Sequence, residues 1–189
     1  GVPGAQRALA SALDPVRAAK AETMAAVKAL RRRADVARAD LNFIHHPTLE
    51  PNDTHYHLQW HYPLINLPQA WDVSTGSPSV IVAVVDTGAF LAHPDLSAKL
   101  VPGYDFILDP ARARDGNGVD SNPDDPGDSA TPGNSSFHGT HVAGTVAAQS
   151  NNGVANGGVA GVSWDARIMP IRVLGVGGGT SFDIINGVR

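Results

Sequence analysis

The run Ser79–Val85 (SVIVAVV) constrains the fold more than any other part of the chain. It is almost uninterrupted in apolar residues and rich in Val and Ile, the pattern of a strand buried on both faces of a parallel sheet. Arg167–Leu174 (RIMPIRVL) reads as a second strand, which Pro170 is expected to demote to an edge or an irregularity. Between the two lies a helix candidate from about His138 to Ala148. Strand, helix, strand implies a right-handed crossover, so the expected class is α/β with a parallel sheet.

The 189 residues suffice for one domain, or one domain with a small appendage. Their charge is unevenly spread. Residues 1–46 hold eight Lys or Arg against four acids, a balance of +4, and residues 47–189 hold six against fourteen, a balance of −8. Two units of different role are expected, 1–46 and 47–189. The acidic larger unit argues against nucleic acid as a partner and suits metal cations. No apolar run is long enough to span a bilayer, so no membrane partner is expected. Cysteine is absent, which removes disulfides, thiolate catalysis and Cys-based metal sites together.

In the first unit, Asp14-Pro15 reads as a helix start and the Ala-rich stretch from Val16 to about Arg33 as the helix. Ala39, Leu41 and Phe43 then alternate with polar residues, as in a short strand that ends near His45-His46. Residues 47–60 read as a linker and extended arm. Ile107–Phe137 is a long irregular segment rich in Asp, Asn, Gly and Pro, and such segments are usually functional. Phe182–Arg189 reads as the opening of a helix.

Three features carry chemistry. Asp86 follows the first strand directly, where α/β sheets place their ligands and catalytic groups; for this residue alone, capping of the following turn is the alternative. His138 opens FHGTHVAGTVAA, with His141 one helical turn on; the pair is half of a metal site or, more simply, one buried and one surface histidine. Asp86 and His138 together make a general base whose tautomer a carboxylate fixes, and they lack only a nucleophile. The Gly-rich run Gly175–Thr180 is a weak phosphate-loop signal, since no Lys-Ser/Thr follows it.

VIVAVVDTGAFLAHPDL and HGTHVAGTVAAQSNNGVANGGVAGV resemble the Asp and His motifs of the subtilisin-like serine proteases, over residues 51–189. The resemblance implies a parallel-sheet subtilisin-like fold and a serine endopeptidase that hydrolyses peptide bonds through an acyl-enzyme. Asp86 would orient the imidazole, His138 would be the general acid/base, and His141 a structural helix residue. Gly177, Gly178 and Gly179 would form an edge strand to which a peptide substrate adds by backbone pairing, with Phe182 lining a side-chain pocket. Residues 1–46, through AETMAAVKALRRRADVARADLNFIHH, resemble the C-terminal part of the inhibitory propeptide of this family, a partial α+β segment whose cleavage is expected near His46. A Gly-Thr-Ser-Met-Ala-like nucleophile motif and the oxyanion-hole Asn motif do not occur; Thr140 and Ser181 are no substitutes. The chain is therefore expected to be the N-terminal half of a secreted precursor, inactive without its C-terminal half.

The same resemblance implies two structural calcium sites. One would draw on Asp53, Asp95, Asn152 and Gln149. The other would lie in DGNGVDSNPDDPGD, with Asp115, Asp120, Asp125 and Asp128 as ligands, helped by Asn117 and Asp124. That loop does not follow the EF-hand spacing, because Asp120 stands where the sixth-position Gly belongs. Two rivals remain. VVDTGA also resembles the Asp-Thr-Gly motif of dimeric aspartic proteases, a scheme in which HGTHVAGT has no role. A catalytically inert calcium-binding or chaperone-like protease fragment is the second.

Overall fold

The structure, a computed structural model, describes residues 15–42, 48–153 and 157–189. The chain divides into two compact units, Gly1–Pro47 and Thr48–Arg189. In the first, α1 spans Pro15–Leu30, with Pro at the start, where its missing N–H costs nothing, and Lys28 in the last turn, where its charge suits the helix dipole. Asp14, the expected cap, lies outside the described residues, as do Phe43 and the His45-His46 boundary. The strand expected from Ala39 does not form over residues 39–42. Arg31 takes the Ala39 carbonyl through Nε at 2.6 Å, an acceptor that a strand would spend on a neighbour, and binds Asp40 at 2.7 Å through Nη2.

The second unit is built on three parallel strands, β1 (Ile81–Asp86), β2 (Tyr104–Asp105) and β3 (Arg167–Arg172), in the order β1-β3-β2. β3 is thus central, not the edge its proline predicts. Val101 and Phe106 donate to the carbonyls of Ile168 and Arg172, so these residues, and Pro170 between them, turn their polar atoms toward the 101–106 side. There β2 begins only at Tyr104, paired with Ile171. The donor that proline lacks faces Val101–Gly103, where no regular ladder requires it.

Helix α5 (His138–Ala147) covers one face of the sheet; α2, α3, α4 and α6 are the short helices His61–Leu64, Leu67–Trp71, Pro110–Ala113 and Ser181–Val188. Ala143 and Ala147 of α5 close on Val84, Ile168, Leu96 and Ala166, all buried. Alanine at these helix positions lets the backbone lie close to the strands. β1 is not buried on both faces: Ile81 is 54% exposed and Ala83 is exposed too. The extended arm expected over residues 47–60 is partly folded, with a 3-10 turn at Tyr56–Leu58. Tyr56 and Trp164 pack against Tyr62 and Trp71 in a second core; Tyr62 and Trp71 donate to the carbonyls of Ala160 and Val162, both at 2.8 Å, whereas the buried Trp164 Nε1 has no partner among the described residues.

Candidate active site

Asp86 ends β1, and the end of β3 holds its backbone: Val173 N and Leu174 N both donate to the Asp86 carbonyl, at 2.9 and 3.2 Å. Its carboxylate accepts from Thr87 N at 2.7 Å. His138 is the first residue of α5, and Phe137 before it adopts the left-handed conformation (φ 51°) without any side-chain cap. That is a costly backbone state for a phenylalanine, and it swings the His138 ring back over the end of β1. Gly139 lets the helix come so close; a Cβ there would stand 2.1 Å from the Gly88 carbonyl oxygen. Its N–H donates to Thr87 Oγ1 at 3.0 Å, which ties the helix start to the turn after Asp86.

His138 Nδ1 consequently lies 2.8 Å from both carboxylate oxygens of Asp86. Because the carboxylate accepts, Nδ1 carries the proton and Nε2 keeps its lone pair. Asp86 is largely covered, with 11% of its side chain accessible, whereas 63% of the imidazole faces solvent. The Asp86 hydrogen bond and charge, with a smaller push from Asp128, hold the imidazole above its ordinary range. A tautomer-fixed, accessible imidazole with raised basicity is equipped to take and return a proton.

The ring borders a cleft of about 340 Å³, lined by Thr87, Asp128, Ser136, Leu174, Gly175 and Gly178. Gly177 and Gly178, both at positive φ, form a tight turn in which Gly175 and Gly178 exchange backbone hydrogen bonds of 3.1 and 2.9 Å. This replaces the open edge strand expected over Gly177–Gly179; only Gly178 of the three lines the cleft. Arg112, from α4, clamps the turn through the Gly178 carbonyl at 2.5 Å. Phe182 is 62% exposed on α6 and lies outside the cleft lining. His141 is exposed, in a separate cavity of about 1080 Å³, and among the described residues no three His or acidic side chains gather into a metal cluster.

The structure draws the first set of calcium candidates together. A Cβ on Gly158 would stand 3.2, 3.4 and 3.4 Å from Asn152 Oδ1, Asp53 Oδ1 and Asp95 Oδ1. Asp53 and Asp95 are buried, and Asp53 Oδ1 has no hydrogen-bond donor. Gln149 joins through its side chain, accepting from Asn152 Nδ2 at 3.3 Å. Two carboxylates and two amide oxygens from separate loops fit a hard cation. Among the described residues the second set does not gather into a group of three acids, and each of its carboxylates is hydrogen-bonded locally. Asp115 binds Arg172, Asp120 binds Asn117, Asp125 accepts from Ser135 and Thr87, and Asp128 accepts from Ser136 N and Oγ.

The buried cluster of Arg172, Asp105 and Asp115 has no counterpart in the sequence reading. Arg172 Nη1 binds Asp105, and also Asp115 at 2.9 Å, while Nη2 binds the Ala113 carbonyl. An arginine inside a strand flanked by apolar residues was the one available signal.

The Subtilase family model matches residues 77–189 of this chain, a span that holds Asp86, His138 and the Gly-rich turn. The chain belongs to the subtilase family. It is 43% identical, over 96% of its length, to an extracellular protease of Xanthomonas campestris pv. campestris, of which it covers 33%. It is 42% identical, over 82% of its length, to an extracellular basic protease of Dichelobacter nodosus, covering 28% of that protein. The chain thus spans about a third of the length of these subtilases. Among solved structures, proteases from Pseudoalteromonas arctica PAMC 21717 superpose with a TM-score of 0.66 at 49% identity, over 73% of this chain and 43% of theirs. The α/β fold with a parallel sheet is that of a subtilase.

Proposed function

We propose that the chain is the part of a secreted subtilisin-type serine endopeptidase that supplies two members of its triad, Asp86 and His138. The 2.8 Å contacts from His138 Nδ1 to both oxygens of Asp86, with the far edge of the ring open to a cleft, carry this reading. Nε2 would accept the proton of a serine hydroxyl as its oxygen attacks a substrate carbonyl, and would then deliver that proton to the departing amine, leaving an acyl-enzyme. Water would enter by the same two proton transfers and release the acid. Asp86 would keep the ring in the working tautomer and stabilise the imidazolium as it forms. The serine is not among these 189 residues. The substrate is a protein or peptide held in the cleft beside His138, and the names of the extracellular relatives support a secreted enzyme.

Residues 1–46 are proposed to be the end of an inhibitory propeptide. Asp53, Asp95, Asn152 and Gln149 are proposed to hold one structural calcium ion, whose charge would offset the two buried carboxylates; the unpartnered Asp53 Oδ1 and the space beside Gly158 support this.

The test is to weigh every polypeptide in the native protein by denaturing mass spectrometry, with and without a fluorophosphonate. The expected result is a phosphonylated serine in a Gly-Thr-Ser segment and peptide hydrolysis lost in His138→Ala. Hydrolysis untouched by that substitution would overturn the assignment.

A further inference from the structure

Asp128 is, among the described residues, the one carboxylate in the lining of the cleft beside His138, and no Lys or Arg lines it. Ser136 N donates to Asp128 Oδ1 at 2.8 Å and Ser136 Oγ to Oδ2, which fixes the carboxylate on the cleft wall. Two donors leave lone pairs on both oxygens. The nearby guanidiniums are committed elsewhere: Arg112 to the Gly178 carbonyl, and Arg114 to the carbonyls of Ser129 and Ala130 at 2.8 and 2.9 Å. No cation lies within ion-pair distance of Asp128 in the described structure. Leu174 lines the same cleft and offers apolar surface there.

We propose that Asp128 makes this cleft select a basic side chain, the aliphatic stem of an Arg or Lys lying along Leu174 with its charged head at the Asp128 carboxylate. Long cationic side chains divide in this way, stem on apolar surface and head at a polar rim. Burial raises the Asp128 carboxyl, but the Ser136 hydrogen bonds and the neighbouring His138 together outweigh it and hold the carboxyl below the usual carboxylate range, so the charge persists wherever the imidazole is neutral. The inference rests on the reading of the cleft as the peptide site.

The experiment titrates the protein with acetylated tetrapeptide amides that differ at one position, carrying Arg, Lys, norleucine or Glu there, and follows the His138 ring protons by NMR above the imidazole pH range. Arg and Lys peptides are expected to bind about three- to fivefold more tightly than the norleucine peptide, the size of a partly exposed ion pair. The preference should vanish in Asp128→Asn and fade as salt is raised in the unaltered protein. Equal affinity for the Arg and norleucine peptides would overturn the role of Asp128 and leave the peptide cleft intact. Failure of every peptide to perturb His138 would overturn both.

Discussion

Arg172 is the in-register neighbour of Asp86 on the adjacent parallel strand, yet its guanidinium turns to Asp105 and Asp115. The row Asp86–Arg172–Asp105 crosses the C-terminal edge of the sheet, with all three residues buried. Asp86 is thereby left to Thr87 and His138. Arg172 also holds the Ala113 carbonyl in α4, the helix whose Arg112 clamps the cleft wall at Gly178.

One guanidinium between two carboxylates leaves a net negative charge in a covered site, and burial pushes the Asp105 carboxyl up to about 6. The native state therefore keeps this proton over a pH range in which the unfolded chain has released it. Across that window, from the ordinary carboxylate value to about 6, stability falls as pH rises. Arg172→Met strands both carboxylates, which is expected to cost about 3–5 kcal/mol at neutral pH. The loss should shrink below the Asp105 titration, where one carboxylate is neutral. Denaturant unfolding at the two pH values checks this; a gap of constant size would count against it.

The His138 titration is a second check. Asp86 is the principal cause of the raised imidazole value, so Asp86→Asn should move the NMR midpoint of the His138 ring down toward the ordinary range. The sign also governs stability: the Asp86–His138 pair contributes below the ordinary imidazole value and is lost as pH rises through the raised one. The proposed base catalysis needs the neutral ring, so the acid limb of the pH profile of the proposed hydrolysis should follow the same midpoint. An unmoved midpoint would separate the two residues electrostatically.

Gly139 tests the steric side of the same pair. Alanine there would press its methyl toward the Gly88 carbonyl and the Asp86 side chain, at 2.1 and 3.1 Å before relaxation. Backbone must shift, at an expected cost of about 1–3 kcal/mol. Because that shift parts the start of α5 from the end of β1, the His138 midpoint should fall as well. Destabilisation with an unchanged midpoint would show that Gly139 serves packing alone.

What the sequence discloses about this subtilase depends on the range of the cause. Asp86 and His138 lie in local patterns, a carboxylate closing a Val-rich strand and a histidine opening an Ala- and Gly-rich helix; each alone has a structural reading, and it is the pair that points to a general base. Asp53, Asp95 and Asn152 became visible through the family resemblance, although their convergence beside Gly158 depends on loops far apart in the chain. In the acidic loop composition alone does not disclose the partners: Asp115 is bound by Arg172, and Asp125 and Asp128 by nearby hydroxyls. Pro170 misleads because an edge rule knows nothing of the neighbour's register. The turn at Gly177–Gly178 was hidden because glycine composition does not distinguish a turn from an edge strand.

The calcium proposal makes a prediction of two signs. Asp53 Oδ1 is buried without a donor, which costs free energy in the metal-free protein and supplies a ligand when a cation is present. Asp53→Asn should therefore be no less stable than the wild type in chelator, yet should lose the stabilisation that calcium confers. At a calcium concentration of about 100 times the dissociation constant that stabilisation is about 2.7 kcal/mol, a rise of several degrees in Tm. Gly158→Ala should act in the same way, since its methyl would fill the space on which Asn152, Asp53 and Asp95 converge. Thermal melts of the three proteins, each with calcium and with chelator, decide the matter. A calcium response that survives in Asp53→Asn would move the ion elsewhere, and a wild type indifferent to calcium would remove it.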